Sequence, residues 1–304
     1  MVTGSPWAVV LAGGDGDRVS SMTRDADGSV VPKQFWCCGG LTPMVRWALA
    51  RARRIAPPPR VLVVVTEQHR AFWERHLADV PRHNILVQPE NRGTAAGVLR
   101  ALVEIQSREI TTAPVVLLPS DHYVEDERVL HEALGVAIRR ACHGDPPVAL
   151  LGIRPTTQEA GYGWIVPESP GPFARVRRFA EKPPAPQVRE MIRDGALINS
   201  LILAARAHVL LALIARVFPD NLRAFQRFAR EPEGAEAVRR LYAALPSMDL
   251  SRDVLQPSTA FLSVINVPPC GWSDLGTPER LRQFLDRVPA ASRLTPAPVG
   301  AAAA

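Results

Sequence analysis

Val9 to Phe35 reads VVLAGGDGDRVSSMTRDADGSVVPKQF. Val9, Val10 and Leu11 make a short apolar run, which breaks at Ala12 into Gly13, Gly14 and Gly16 and closes on Arg18. That pattern predicts a buried strand emptying into a glycine-rich turn. Glycines let the main chain approach a ligand and turn its N–H groups toward an anion. Arg18 adds a planar, permanently charged fork suited to phosphate oxygens. Farther on, Pro32 fixes the backbone just before Lys33. Two familiar phosphate motifs do not fit. A P-loop needs a lysine inside the loop, and the dinucleotide fingerprint that starts at Gly14 and Gly16 meets Val19 where its third glycine belongs. By itself the turn is read equally as turn chemistry or as a ligand cradle. Arg18 and the Pro32-Lys33 pair tip it toward the cradle.

Working outward, helices and short apolar strands alternate. Thr42-Pro43 starts a helix with proline at its first position, and Met44, Val45, Ala48, Leu49 and Ala52 follow at helical spacing. Strands are expected at Val61 to Val65, Ile85 to Val87, Val115 to Leu118 and Val148 to Gly152, with helices over Glu67 to Leu77, after Thr94 and over Glu127 to Ala141. Thr94 is the expected cap of its helix. Such alternation argues for a parallel α/β sheet covered on both faces. Ligands of such sheets bind beyond the carboxyl ends of the strands. The glycine loop, the turn Gln88 to Thr94, and Asp121 all follow strands and should share one rim. Past residue 153 the pattern loosens into strands near 161–166, 174–179, 198–202 and 262–267, read as a mixed-sheet lobe. Amphipathic helices over 208–218, 221–230 and 235–244 are expected against the sheet. The Pro- and Ala-rich stretch 288–304 is expected to be disordered.

The totals exclude several classes. With 304 residues, 47% hydrophobic and 22% charged, the chain is that of a globular protein. No basic segment leads into a long apolar run at the start, so no signal peptide is expected, and the most apolar window, 198–218, carries Asn199, Arg206, His208 and Arg216. Cys37, Cys38, Cys142 and Cys270 lack zinc or disulfide spacing, so a reducing, cytoplasmic setting is expected. The net charge of +6 comes without a basic run interleaved with aromatics, so nucleic acid is not an expected partner, nor is a membrane. Of 36 lysines and arginines only Lys33 and Lys182 are lysine. Where arginine is the default, these two mark places that need a compact ammonium.

Asp121 and Asp274 are carboxylates far apart in sequence, the first at a strand end and the second within a Gly-Trp-Ser-Asp-x-Gly turn. One or two carboxylates commonly hold Mg²⁺, with waters and substrate phosphates filling the octahedron.

Taken together, these segments resemble the sugar nucleotidyltransferases, and within them the mannose-1-phosphate guanylyltransferases. The resemblance runs from Gly13-Gly14-x-Gly16-x-Arg18 and Pro32-Lys33-Gln34-Phe35 through Gln88-Pro89-Glu90-Asn91-Arg92-Gly93-Thr94 and Leu118-Pro119-Ser120-Asp121. It continues over Tyr162-Gly163-Trp164, Phe179-Ala180-Glu181-Lys182-Pro183, Asn199-Ser200, Asp249 to Leu255, and Gly271-Trp272-Ser273-Asp274. It implies a Rossmann-like, mostly parallel sheet of the nucleotidyltransferase (GT-A-like) kind with a smaller mixed-sheet sugar-binding lobe. The nucleotidyltransferase domain would span 1–287, with a nucleotide core over 5–152 and a sugar and second-metal-ligand part over 153–287.

The resemblance further implies nucleotide contacts from Leu11, Ala12, Gly13, Gly14, Gly16, Arg18, Lys33, Gln88, Asn91, Gly93, Thr94 and Asp121. Gly163, Glu181, Lys182 and Asn199 would hold the sugar phosphate. Asp121 and Asp274 would hold Mg²⁺, and Arg18, Lys33, Asp121 and Lys182 form the catalytic set. The implied partners are small molecules, an NTP and a sugar 1-phosphate. A homodimer is one assembly this reading admits. Departures from the family pattern are Ser21 for a usual proline, a longer bridge from Thr23 to Pro32, Ile198 for a usual tryptophan, and Leu201 for a common glycine.

Overall fold

The computed structural model describes residues 4–38, 40, 42–109, 112–230 and 234–287. The stretch 288–304 lies outside the described residues.

Strand β1, Trp7–Ala12, is the axis of the molecule. Its residues alternate between two cores: Trp7 and Val9 enter one, Ala8, Val10 and Ala12 the other. A strand buried on both faces must read as a continuous apolar run, which is what Val9-Val10-Leu11 signalled. β2 (Val61–Thr66) and β4 (Pro114–Pro119) flank β1 in parallel, and β3 (Ile85–Gln88) lies beyond β2. The connections from β1 lead outward through β2 to β3, whereas β4 sits on the other side. This reversal makes a switch point at the carboxyl ends of β1 and β4, where a crevice must open.

The other strands are β5 (Val148–Ile153), β6 (Gly163–Pro167), β7 (Phe173–Glu181), β8 (Leu197–Arg206) and β9 (Leu262–Val267). All nine form one sheet in the order β3-β2-β1-β4-β8-β5-β9-β7-β6, with β6 also pairing with β8. β8 is antiparallel to both β4 and β5, and β7 to both β9 and β6. The fold is therefore α/β. The strands expected in a smaller lobe extend the same sheet, because β8 reaches back between β4 and β5. That region still has its own small core, in which Val188 and Met191 of α5 (Ala185–Arg193) cover Trp164 and Ile198.

On one face of the sheet lie α1 (Met44–Ile55) and α4 (Glu127–His143), on the other α3 (Thr94–Arg108) and α6 (Ala207–Val217). The short α2 (Arg70–His76) follows β2. Asp126 caps α4, accepting from the N–H groups of Arg128 and Val129 at 3.0 and 3.4 Å, an arrangement worth about 1 kcal/mol. α7 (Pro219–Arg230) and α8 (Ala235–Ala243) form a further layer, with α7 resting on α3 and α6 instead of directly on the sheet. Their inward residues Phe225 and Tyr242 are fully buried. α9, Pro278–Arg287, closes over the glycine loop by packing Leu281 and Phe284 beside Val19 and Trp47. Among the described residues no helix is long and apolar enough to cross a membrane.

Two local expectations are corrected. Pro43 is the residue before α1, one position short of the first helical turn. Thr94 is the first residue of α3 and does not cap it: the N-cap position falls on Gly93, at φ +90°, and the Thr94 hydroxyl accepts from the Leu250 N–H at 2.9 Å. A side chain at position 93 is impossible without rearrangement, since its Cβ would lie 2.3 Å from the Met248 carbonyl oxygen.

Candidate active site

A cavity of about 400 Å³ opens where β1, β3, β4 and β7 end, within the range of small-molecule sites. Of the residues singled out from sequence, Leu11, Gly13, Gly14, Gly16, Arg18, Lys33, Gln88, Asn91, Gly93, Thr94, Asp121, Gly163, Glu181, Lys182, Asn199 and Asp274 all line it. Both lysines of the chain are among them. Ala12 is not: it is fully buried, and its carbonyl accepts from Gln34 Nε2 at 3.1 Å. Gln34 also lines the cavity, though it is not among the site residues expected from sequence. Its amide also donates to the Gly14 carbonyl at 2.9 Å, so one side chain clamps both arms of the glycine loop. Its place in Pro-Lys-Gln-Phe was the signal.

Gly16 turns the loop at φ +73°, directly over Lys33: a Cβ here would stand 3.1 Å from the Lys33 main-chain nitrogen. Lys33 follows in a 3-10 turn, Lys33–Phe35, that keeps it 4% exposed. Its ammonium donates to Asp121 Oδ2 at 2.8 Å and to the carbonyl of Asp274. Tyr123 and Ser273 pair main chain to main chain in both directions, at 2.9 and 3.0 Å, and so weld the Asp121 loop to the Asp274 loop. Ser120 N–H donates to the Leu11 carbonyl at 3.1 Å, joining the Asp121 loop to the end of β1 as well. Two aspartates far apart in the chain are thereby set around one ammonium.

Burial works to raise the Asp121 carboxyl, but the Lys33 ammonium together with His122 and the main-chain N–H holds the group below the usual carboxylate range. His122, buried beside it, is driven down to about 4 by loss of solvent and is neutral near pH 7. Asp274 is held from the far side. Its Oδ1 accepts from the Tyr162 hydroxyl at 3.1 Å and from the Gly276 N–H at 3.2 Å, and Arg280 Nη1 stands 3.0 Å away. The Arg280 guanidinium lies over the Tyr162 ring at 4.3 Å. Neither Asp274 Oδ2 nor Asp121 Oδ1 accepts a hydrogen bond from another described residue, and His122 Nε2 stands 3.8 Å from Asp121 Oδ1. Each aspartate thus keeps one oxygen for a further partner. Arg18 is exposed at the mouth, its Nη2 close to Gly276.

The opposite wall comes from β6 to β8. Glu181 stands beside Gly163, where a Cβ would come within 2.5 Å of its carboxylate, so glycine makes room for the acid. Burial pushes the Glu181 carboxyl up, against the pull of Lys182, whose ammonium is 3.5 Å from it. Lys182 takes a left-handed backbone, φ +48°. Asn199 donates from Nδ2 to Ser251 Oγ at 3.2 Å and accepts at Oδ1 from the Leu201 N–H at 3.1 Å. Leu201 sits at φ +57° beside the register shift between β5 and β8, a conformation that costs a side-chain-bearing residue about 1–2 kcal/mol. A glycine would adopt it freely, and this chain carries a leucine there.

The bridge from Thr23 to Pro32 folds on itself through Asp25, Asp27 and Ser29 and lines none of the cavity. Tyr162, Ser251 and Trp272 join the lining without having been singled out as site residues. Their segments had drawn notice, but a tyrosine or serine in such a segment carries no sign of which way it faces. Among the described residues no group of three or more His, Cys, Asp and Glu side chains is placed to hold a metal ion.

The chain belongs to the Nucleotidyl transferase family, whose model matches residues 7–289. Mannose-1-phosphate guanylyltransferase of Klebsiella pneumoniae is 28% identical over 284 residues, covering 88% of this chain and 58% of that protein. Xanthan biosynthesis protein XanB of Xanthomonas campestris pv. campestris (strain B100) is 28% identical over 276 residues, covering 88% and 57%. This chain therefore spans less than two thirds of the length of these curated relatives. A solved structure from Thermus thermophilus, described as a mannose-1-phosphate geranyltransferase, superposes with a TM-score of 0.76 at 28% identity, covering 90% of this chain and 77% of that one. A mannose-6-phosphate isomerase structure from Helicobacter pylori shares the fold, with a TM-score of 0.70 at 19% identity, covering 88% and 99%.

Proposed function

We propose that this chain transfers a nucleotidyl group from an NTP, GTP before others, to a sugar 1-phosphate, mannose 1-phosphate before others, releasing pyrophosphate. The observation that carries the reading is the junction of Lys33, Asp121 and Asp274 inside a cavity that also holds Arg18 and Lys182. Three cations facing one crevice suit two polyanionic substrates. Relatives named for guanylyl transfer to mannose 1-phosphate support the choice of GTP and mannose.

In this reading the main-chain N–H groups of the glycine loop and Arg18 hold the β- and γ-phosphates, and Lys33 stands by the α-phosphate. Gln88 and the turn through Thr94 face the base and ribose. Gly163, Glu181 and Asn199 meet sugar hydroxyls, and Lys182 holds the sugar's phosphate. An oxygen of that phosphate attacks the α-phosphorus; the new P–O bond forms as the α–β bridging bond breaks. A phosphate oxygen is already a nucleophile, so the side chains need only align the two anions and neutralise charge.

The two aspartates fit Mg²⁺ as hard oxygen donors, each with one carboxylate oxygen unclaimed and with an ammonium already drawn between them. Asp121 and Asp274 would hold the ion, which supplies charge neutralisation on the phosphates when bound. The four free cysteines agree with a reducing cytoplasm as the compartment.

Substrate labelling tests the reaction class. With mannose 1-phosphate and GTP radiolabelled at its α-phosphate, label should enter the sugar product; with GTP labelled at the γ-phosphate it should leave as pyrophosphate. Label entering the sugar product from the γ position would mean phosphoryl transfer and refute the reading.

A further inference from the structure

Gln88 is buried at the end of β3, yet the two ends of its amide meet different surroundings. Its Oε1 accepts from the hydroxyl of Tyr242 at 3.3 Å, across 154 positions of sequence. Its Nε2 has no acceptor among the described residues, is not among the fully enclosed polar atoms that lack partners, and borders the cavity beside Gly13. The glycines at 13 and 97 leave the space in which the amide lies: a Cβ at Gly13 would come within 2.8 Å of Nε2, and one at Gly97 within 3.4 Å of Oε1.

Tyr242 lines none of the cavity and is fully buried in α8, its ring held edge-on against Phe225 at 5.7 Å. Gln88 Oε1 is the hydrogen-bond partner its hydroxyl has among the described residues. A buried O–H that donates to nothing costs more than a lone pair left over, so the phenol must donate, and the amide must offer it oxygen. The NH₂ is left toward the ligand.

We propose that Tyr242 is a positioning residue that locks the Gln88 amide with its NH₂ toward the nucleobase, so that the site takes a base presenting a carbonyl oxygen at that edge. Guanine, hypoxanthine, uracil and thymine bear such an oxygen; adenine and cytosine place an amino donor at the corresponding position. The inference rests on the cavity being an NTP site.

The test is calorimetric binding of ITP, GTP and ATP to the full chain and to Tyr242→Phe, with no sugar present. ITP differs from ATP only in the 6-carbonyl that replaces the amino group and in the N1 proton that comes with it. The wild type should prefer ITP and GTP over ATP. In Tyr242→Phe, whose amide is free to turn over, the ITP-to-ATP preference should shrink on the order of tenfold, with ATP binding kept. Should that variant lose its cooperative melt, Gln88→Glu replaces it: the carboxylate still accepts from Tyr242 but offers no donor, and the preference should fall equally. A preference unchanged in the folded variant, or a wild type that transfers nucleotidyl groups with no base preference, overturns the inference and leaves the proposed reaction standing. A wild type that binds no NTP overturns both.

Discussion

Lys33 and Asp121 stand 88 positions apart in the chain and 2.8 Å apart in the fold, and the same ammonium also donates to the Asp274 carbonyl. An almost fully buried lysine, in a chain with one other lysine and arginine everywhere else, is held there by a need for charge at a point. A guanidinium is larger, planar and fixed in its donor directions, and the site encloses the Lys33 side chain to 4% exposure.

Lys33→Met removes that charge with little change of volume. Turnover should fall by about 10²–10³-fold, as when other preorganised electrostatic groups are removed. Lys33→Arg should not restore it. The Asp121 carboxyl, relieved of its neighbour, should rise, so any residual activity should fail at a higher pH on the acid side than in the wild type. Steady-state kinetics across pH would show both.

The frame beneath the site rests on a second pair. Arg51 of α1 donates to both oxygens of Glu127 at 2.9 and 3.1 Å and to the His122 carbonyl at 2.9 Å, with both side chains at least nine-tenths buried. Losing one partner strands the other's charge, so Arg51→Met should cost about 3–5 kcal/mol in urea unfolding. The double variant Arg51→Met with Glu127→Met should recover much of it.

Gly93→Ala should be more damaging than its size suggests. The new Cβ would meet the Met248 carbonyl at 2.3 Å, at a φ of +90° that disfavours any side chain. A loss of at least about 2 kcal/mol is expected from strain and displacement together. Thermal melts should show it, along with weaker nucleotide binding, because Asn91 Oδ1 accepts from the Gly93 N–H at 2.9 Å in the same turn.

Position 93 also shows where sequence legibility stops. Thr94 before an apolar-periodic run is a sound helix-start signal, but the start falls one residue earlier because Met248, far along the chain, closes over Gly93. Similarly, the apolar pattern foretold β8 only as far as Ile202, whereas the strand runs to Arg206. Leu203-Ala204-Ala205 has no strand preference of its own and is extended because β4 and β5 pair with it on both sides. The glycine loop, both lysines and both aspartates were legible because their chemistry is local to short motifs. Tyr242 was not: a buried tyrosine on an amphipathic helix reads as core until its hydroxyl is seen to meet Gln88.

Glu181 gives a pH prediction with a definite sign. Burial raises its carboxyl in the fold, so its ionisation opposes folding. Glu181→Gln should therefore be the more stable protein near neutral pH, and this advantage should vanish as the pH falls below the ordinary carboxylate value. Melting temperatures of the two proteins across that range would check it. Activity should decline in Glu181→Gln at every pH if the carboxylate meets sugar hydroxyls.

The most direct test of the whole account is pyrophosphate release by the purified chain with Mg²⁺, across the four NTPs and a panel of hexose 1-phosphates. Release that requires both substrates, is greatest with GTP and mannose 1-phosphate, and is abolished in Asp121→Ala and Asp274→Ala is the predicted result. No release from any pair, while calorimetry shows nucleotide still bound, would contradict it and leave a protein that binds nucleotides without transferring them.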